Sequence, residues 1–163
     1  THKYLLKHFK NFDFIWSSPP CPTHSRMRAS QKSRKTFIHK YPDMSLYQEI
    51  IFLDNFFKGK YCVENVIPYY DPLIPGQKRG RHIYWCNFIL PAVLSNRKII
   101  MHGNNKEKKR FCEFHKINLD NYKGKQRKDK IARNLVDYEA GKTILDTVMG
   151  IKTKENINQI ELF

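Results

Sequence analysis

Three prolines fall within four positions, Pro19, Pro20 and Pro22, in the segment Ser17-Ser-Pro-Pro-Cys-Pro-Thr-His-Ser25. Each removes a backbone donor and pushes the residue before it out of the helical region, which excludes the stretch from a helix and from a central strand. A rigid loop is predicted. The preceding Phe12-Asp-Phe-Ile-Trp-Ser17 is short and aromatic-rich, the composition of a strand. The loop therefore sits at a strand's C-terminal end. Before it, Tyr4, Leu5, Leu6 and Phe9 predict the end of a helix over residues 1 to 10.

Downstream, Ser45-Leu-Tyr-Gln48 has the S-x-x-Q form of a capping box, and Leu46, Ile50, Leu53 and Phe57 recur at helical spacing, predicting a helix of about three turns. Lys60-Tyr-Cys-Val-Glu-Asn-Val66 and Arg81-His-Ile-Tyr-Trp-Cys-Asn-Phe88 predict two more strands, with a turn-rich interval holding Pro68, Pro72 and Pro75 between them. Strand, helix, strand at this spacing predicts a right-handed parallel crossover and an α/β fold. Residues 126 to 136 and 139 to 149 read as helices, the second with Ala140, Ile144, Thr147 and Val148 on one side.

A chain of 163 residues suffices for one compact domain and is short for two ordinary ones. Its 30 Lys and Arg against 15 Asp and Glu give a net charge of +15, so an anionic partner is expected, nucleic acid first. Residues 26 to 40 carry six basic side chains and no acidic one, predicting a mobile cationic loop, and residues 96 to 133 carry 13 basic and 4 acidic, a local +9. Hydrophobic residues at 40% and aromatics at 13% exclude disorder throughout. No apolar stretch approaches the roughly 20 residues of a membrane span, so no membrane partner is expected. Cys21, Cys62, Cys86 and Cys112 form no C-x-x-C, which argues against a zinc ribbon or disulfide scaffold and for a cytoplasmic location. The lone C-x-x-H pair Cys112 and His115 is too little for a metal site. The first residues lack both a signal peptide's apolar centre and an initiator Met, and read as the cut edge of something longer.

Pro19-Pro-Cys-Pro22, Glu64-Asn-Val66 and Gln77-Lys-Arg-Gly-Arg81 fall at the ends of the three predicted strands, where an open α/β sheet places its ligands. Together, and in this order, they resemble motifs of the cytosine-C5 DNA methyltransferases. Asp13-Phe-Ile-Trp-Ser-Ser-Pro-Pro20 also resembles the strand leading into that family's nucleophile loop. The resemblance spans roughly residues 12 to 148 and implies a partial Rossmann-like, S-adenosylmethionine-dependent methyltransferase fold with a small target-recognition segment. It implies three parts: a catalytic α/β part over 1–88, a basic recognition segment over 89–125, and helices over 126–163 that return to the catalytic part.

The chemistry explains the residue types. Cytosine C5 becomes nucleophilic only after a thiolate adds at C6, which needs a reactive cysteine on an exposed, rigid loop, the role implied for Cys21. A carboxyl that protonates or hydrogen-bonds N3 relieves the charge pushed onto the ring, the role implied for Glu64. A guanidinium at O2 stabilises the same charge, implied first for Arg81, with Arg79 beside it. Arg26, Arg28, Lys108, Lys109 and Arg110 are the expected phosphate contacts for a duplex whose target base is flipped out.

For the cofactor the resemblance implies Pro20 and, in Arg133-Asn-Leu-Val-Asp-Tyr-Glu139, Asn134 and Val136, which match the family's last motif while Arg133 stands where glycine is usual. The family's glycine-rich cofactor loop has no counterpart, because the seven glycines never form G-x-G. A second chain or a preceding segment is expected to supply it. Pro22-Thr-His-Ser25 stands where Gln-Pro-Phe-Ser is usual, and the interval from Glu64 to Arg81 is short. The small recognition segment suggests a phage or prophage enzyme of the restriction-modification type. A tRNA cytosine-C5 methyltransferase and a basic nucleic-acid-binding protein without chemistry remain the alternatives.

Overall fold

The structure, a computed structural model, describes residues 2–26, 41–97 and 107–151. Arg28 and most of the expected cationic loop lie outside the described residues. The elements are α1 (His2–His8) with a 3-10 turn (Phe9–Asn11), β1 (Phe14–Ser17), α2 (Ser45–Phe56), β2 (Lys60–Val66), β3 (Gln77–Arg79), β4 (His82–Cys86), α3 (Glu107–His115), α4 (Lys128–Asn134) and α5 (Tyr138–Val148). The fold is mixed α/β, with a four-stranded mixed sheet in the order β1-β2-β4-β3 and five α-helices among the described residues. None of those helices is long and apolar enough to cross a membrane. The chain divides into two compact units, Thr1–Ala92 and Val93–Phe163.

In the first unit β1 runs parallel to β2, with Phe14 opposite Lys60 and Ser17 opposite Val63. The expected parallel pairing is present, with α2 in the connection. One face of the sheet carries Ile15, Tyr61, Val63, Ile83 and Trp85, which pack on Leu46, Tyr47, Ile50, Leu53 and Phe57 of α2 and its C-terminal end. The helical spacing seen in the sequence is thus the face turned to the sheet. Leu53, Val63 and Ile83 are fully buried, and side chains of this size bury about 1.5–3 kcal/mol of transfer free energy each.

Two local expectations need correction. Ser45 is the first helical residue rather than the cap, and the oxygen that satisfies its N–H is Asp43 Oδ1 at 3.0 Å. Residues 77 to 79 form a strand where a turn-rich segment was expected. Gln77, Lys78 and Arg79 offer no apolar alternation, yet they pair antiparallel with β4 through the two-residue turn Gly80-Arg81. Gly80 at φ +56° supplies the positive φ that such a turn requires at its first position.

β2 and β4 pair antiparallel, Cys62 opposite Cys86, Glu64 opposite Tyr84, Val66 opposite His82. The bond from Ile67 N–H to the Arg81 carbonyl at 3.3 Å fixes the alternation. These three pairs are therefore the close, non-hydrogen-bonded positions, with side chains near one another on the face away from α2. The free thiols of Cys62 and Cys86 lie 3.2 Å apart there.

The second unit contains α3, a helix not anticipated within the basic stretch, and α4 and α5, which start or stop within a few residues of the expected bounds. Its apolar core is small: Leu94, Phe111, Ala132, Ala140 and Ile144 are buried. Arg97 sits at the centre of a polar and aromatic cluster, its guanidinium carbon 3.9 Å from the Phe114 ring centroid and 4.4 Å from that of Tyr138. Arg97 Nη1 is 2.9 Å from Asp137 Oδ1, and Nε is 3.7 Å from Glu139 Oε1.

Candidate active site

The register brings the ends of three segments to one edge of the sheet. β1 and β2 end there, and the β3–β4 turn opens there, because β4 runs antiparallel to β2 with His82 opposite Val66. Cys21, Glu64 and Arg81 accordingly lie on loops, or at the strand end, along that edge.

β2 holds the proline loop from two successive residues. Ser18 Oγ donates to Glu64 Oε2 at 2.6 Å and accepts the Trp16 indole N–H at 3.0 Å. Asn65, 2% exposed, donates from Nδ2 to the Pro19 carbonyl at 3.1 Å, and its Oδ1 accepts Val66 N–H. An unpaired buried amide is costly, so this pairing fixes the loop as well as satisfying Asn65. Beyond the prolines the chain turns once, and the Cys21 carbonyl accepts N–H bonds from His24 at 3.0 Å and Ser25 at 3.1 Å.

Under that turn lies a chain of hydrogen bonds. Leu73 N–H donates to Tyr47 Oη, Tyr47 donates to Tyr70 Oη, and Tyr70 Oη shares a hydrogen bond with His24 Nδ1 at 2.5 Å. Burial holds the His24 pKa below the ordinary value, and its Nε2 is buried with no hydrogen-bond partner among the described residues. This histidine stands where the resemblance leads one to expect phenylalanine.

Cys21 is half-buried, and its thiol is pushed up from the usual value by burial first, with the Glu64 charge acting in the same direction and a backbone hydrogen bond opposing. At rest it is a thiol. The Glu64 side chain is 12% exposed, and its second oxygen, Oε1, is 3.5 Å from His82 Nε2. Burial and the Arg81 charge lower the His82 pKa, while Glu64 pulls it the other way.

The two arginines differ. Arg79 donates from Nε to the Pro91 carbonyl at 2.5 Å, from Nη2 to Leu90 at 2.7 Å and from Nη1 to Lys78 at 2.9 Å. Gln77 bonds Phe88 O and Leu90 N–H at 2.7 and 2.8 Å. Gln77 and Arg79 thus clamp the segment after β4. Arg81 is exposed in the turn, and among the described residues no acceptor is in reach of its side chain.

The remaining expected residues are dispersed. Pro20 is exposed, and Arg26 donates from Nε to the Pro68 carbonyl at 3.3 Å. In the second unit Asn134 and Val136 are exposed. Lys108 and Lys109 lie 4.0 and 3.8 Å from Asp120 and Glu113, and Arg110 Nη1 is buried. A cavity of about 500 Å³ in the first unit is lined by residues including Ile50, Asp54, Tyr61, Gln77 and Trp85. Neither Cys21 nor Glu64 lines it.

Ser18, Asn65, His24 and His82 escaped the sequence reading. The departure from Gln-Pro-Phe-Ser was a signal for His24, whereas the other three acquire their roles only through strand register. Among the described residues no group of three or more His, Cys, Asp and Glu could hold a metal ion. Compared with the models of known protein families, with curated proteins and with solved structures, the chain matches none.

Proposed function

We propose that the chain is the catalytic part of a DNA cytosine-C5 methyltransferase, its sheet the corresponding part of a Rossmann-like fold. The observation that carries the reading is the shared end of the sheet, which carries a cysteine on a proline-fixed loop, a carboxyl bonded to that loop and an exposed guanidinium in the β3–β4 turn. On this reading the Cys21 thiol gives its proton to water and the thiolate sulfur bonds C6 of a flipped cytosine. The C5–C6 electron pair moves into the ring, and Glu64 delivers a proton to N3 while Arg81 stabilises charge at O2. Protonated Glu64 no longer adds its charge to the effects holding the Cys21 thiol up, so the same proton favours both halves of the addition.

S-adenosylmethionine is the methyl donor that the reading implies. Pro20, Asn134 and Val136 are exposed, and none of them lines the cavity of the first unit. A glycine-rich partner segment is part of the proposal. The excess of cations supports DNA as substrate, through phosphate contacts that offset the few kcal/mol of base flipping.

The test is covalent capture. A duplex oligonucleotide with 2-pyrimidinone at the target position adds thiols at C6 more readily than cytosine does. Wild-type chain should give an adduct that survives denaturation, and Cys21→Ser none; equal yield from Cys21→Ser overturns the reading. The raised Cys21 pKa favours a second reading, a basic nucleic-acid-binding protein without chemistry. It predicts equal binding by both variants and no adduct from either.

A further inference from the structure

The carboxyl group in this site must gain a proton while it is largely shielded from solvent, and the strand pairing sets one titratable neighbour beside it. Glu64 Oε2 is occupied by the Ser18 hydroxyl, which donates to it at 2.6 Å. Oε1 faces His82 Nε2 at 3.5 Å. Val66 and His82 oppose each other and Glu64 opposes Tyr84, so Glu64 and His82 are diagonal neighbours on one face. The His82 side chain is 35% exposed against 12% for Glu64, so the imidazole meets water more freely than the carboxyl it faces.

We infer that His82 is a positioning residue for the Glu64 proton: its Nε2 takes a proton from solvent and passes it to Glu64 Oε1, from which N3 of the substrate base receives it. The inference rests on the cytosine reading and adds to it the source of the proton. In the step the Nε2–H bond breaks and an O–H bond forms, leaving a neutral imidazole and a neutral carboxyl.

The groups facing His82 suit this task. Glu64 approaches from β2. Arg81 precedes it in the turn. Arg79 pairs with it from β3 with its guanidinium bonded to backbone carbonyls, and the Tyr84 ring stands edge-on at 6.3 Å. Burial lowers the imidazole's pKa against the pull of Glu64, with Arg81 adding to the lowering, which reduces the free energy needed to hand its proton to a carboxyl. Both residues are polar members of otherwise ordinary strands, and the pairing of 66 with 82 is what joins them.

Two measurements on the intact chain test the inference. In the first, the rate of adduct formation with the 2-pyrimidinone duplex is followed from about pH 5 to about pH 8, the range in which a histidine titrates. Because the Cys21 thiolate grows with pH across this range, the wild-type rate should rise and then level off into a flat limb above the His82 pKa, where loss of imidazolium cancels the gain. His82→Gln, which keeps a hydrogen-bond donor but does not titrate, should lose that limb and slow about 10²-fold, the scale of a general-acid contribution. In the second, the His82 imidazole is titrated by NMR in wild type and in Glu64→Gln. Loss of the carboxylate should lower its pKa. A wild-type rate and pH limb in His82→Gln, or an unshifted His82 in Glu64→Gln while wild-type adducts form, overturns the role of His82 alone. Absence of any wild-type adduct across the pH range overturns the cytosine reading, and the destination of the proton with it.

Discussion

The two compact units are held together by different physics. In Thr1–Ala92 an apolar helix face covers an apolar sheet face, and the polar groups that matter gather at the sheet's edge. In Val93–Phe163 a cation is central: Arg97 lies between two rings and two carboxylates, and five apolar side chains are buried among the described residues. A non-directional apolar core fixes strand register without using polar groups, which leaves Ser18, Glu64, Asn65 and His82 free to be arranged for chemistry. A core built on a guanidinium has already used its best polar groups for folding.

The comparison can be broken at either core. Both tryptophans of the chain, Trp16 and Trp85, belong to the first unit, so indole fluorescence reports that unit while far-ultraviolet circular dichroism reports both. Leu53→Ala removes a fully buried side chain from the helix–sheet interface. It should cost about 2–5 kcal/mol and move the fluorescence transition in urea to lower denaturant. An unmoved fluorescence midpoint would mean that the α2 contact does not hold the sheet.

Arg97→Ala is the corresponding change in the second unit, where it leaves Asp137 without its ion pair and Phe114 and Tyr138 without the cation between them. A loss of about 2–3 kcal/mol is expected, on the scale of a broken, partly buried pair plus its ring contacts. It should appear in circular dichroism with the fluorescence midpoint unchanged. Equal shifts in both signals would show that the units unfold as one.

The smallest effect sharpens the contrast between central and peripheral charge. Lys109 and Glu113 form an exposed pair one helical turn apart on α3. Lys109→Ala should cost no more than about 0.5 kcal/mol, and molar salt should erase the difference. A larger cost would assign α3's surface charges to the unit's stability.

What could be read from the sequence divides along the same line. The β1–α2–β2 arrangement was legible because Leu46, Ile50, Leu53 and Phe57 lie on one face and the strands are dense in apolar residues. β3 was not, since Gln77-Lys-Arg79 owes its strand to pairing with β4 and to Gly80. α3 was hidden because Phe111 is its one fully buried side chain among lysines and glutamates. At the site, Cys21, Glu64 and Arg81 stood out as residue types in suggestive surroundings. Arg81 ranks ahead of Arg79 in sequence without a reason for their difference, which is that the carbonyls of Lys78, Leu90 and Pro91 make Arg79 a clamp while Arg81 is an exposed cation.

The ties that fix the proline loop also set the order in which the site can be assembled. Ser18 with Glu64, Pro19 with Asn65 and His24 with Tyr70 each join positions 46 apart. By contrast, β3 and β4 are joined by a two-residue turn, and Gln77 and Arg79 reach backbone atoms 11 to 13 positions onward. Closing the longer loop carries the larger entropy cost, so local contacts around Arg81 form at less expense than those around Cys21. During synthesis the proline loop leaves the ribosome 46 residues ahead of the side chains that hold it. Until β2 and Tyr70 have been made, Cys21 is an ordinary thiol on an unanchored chain.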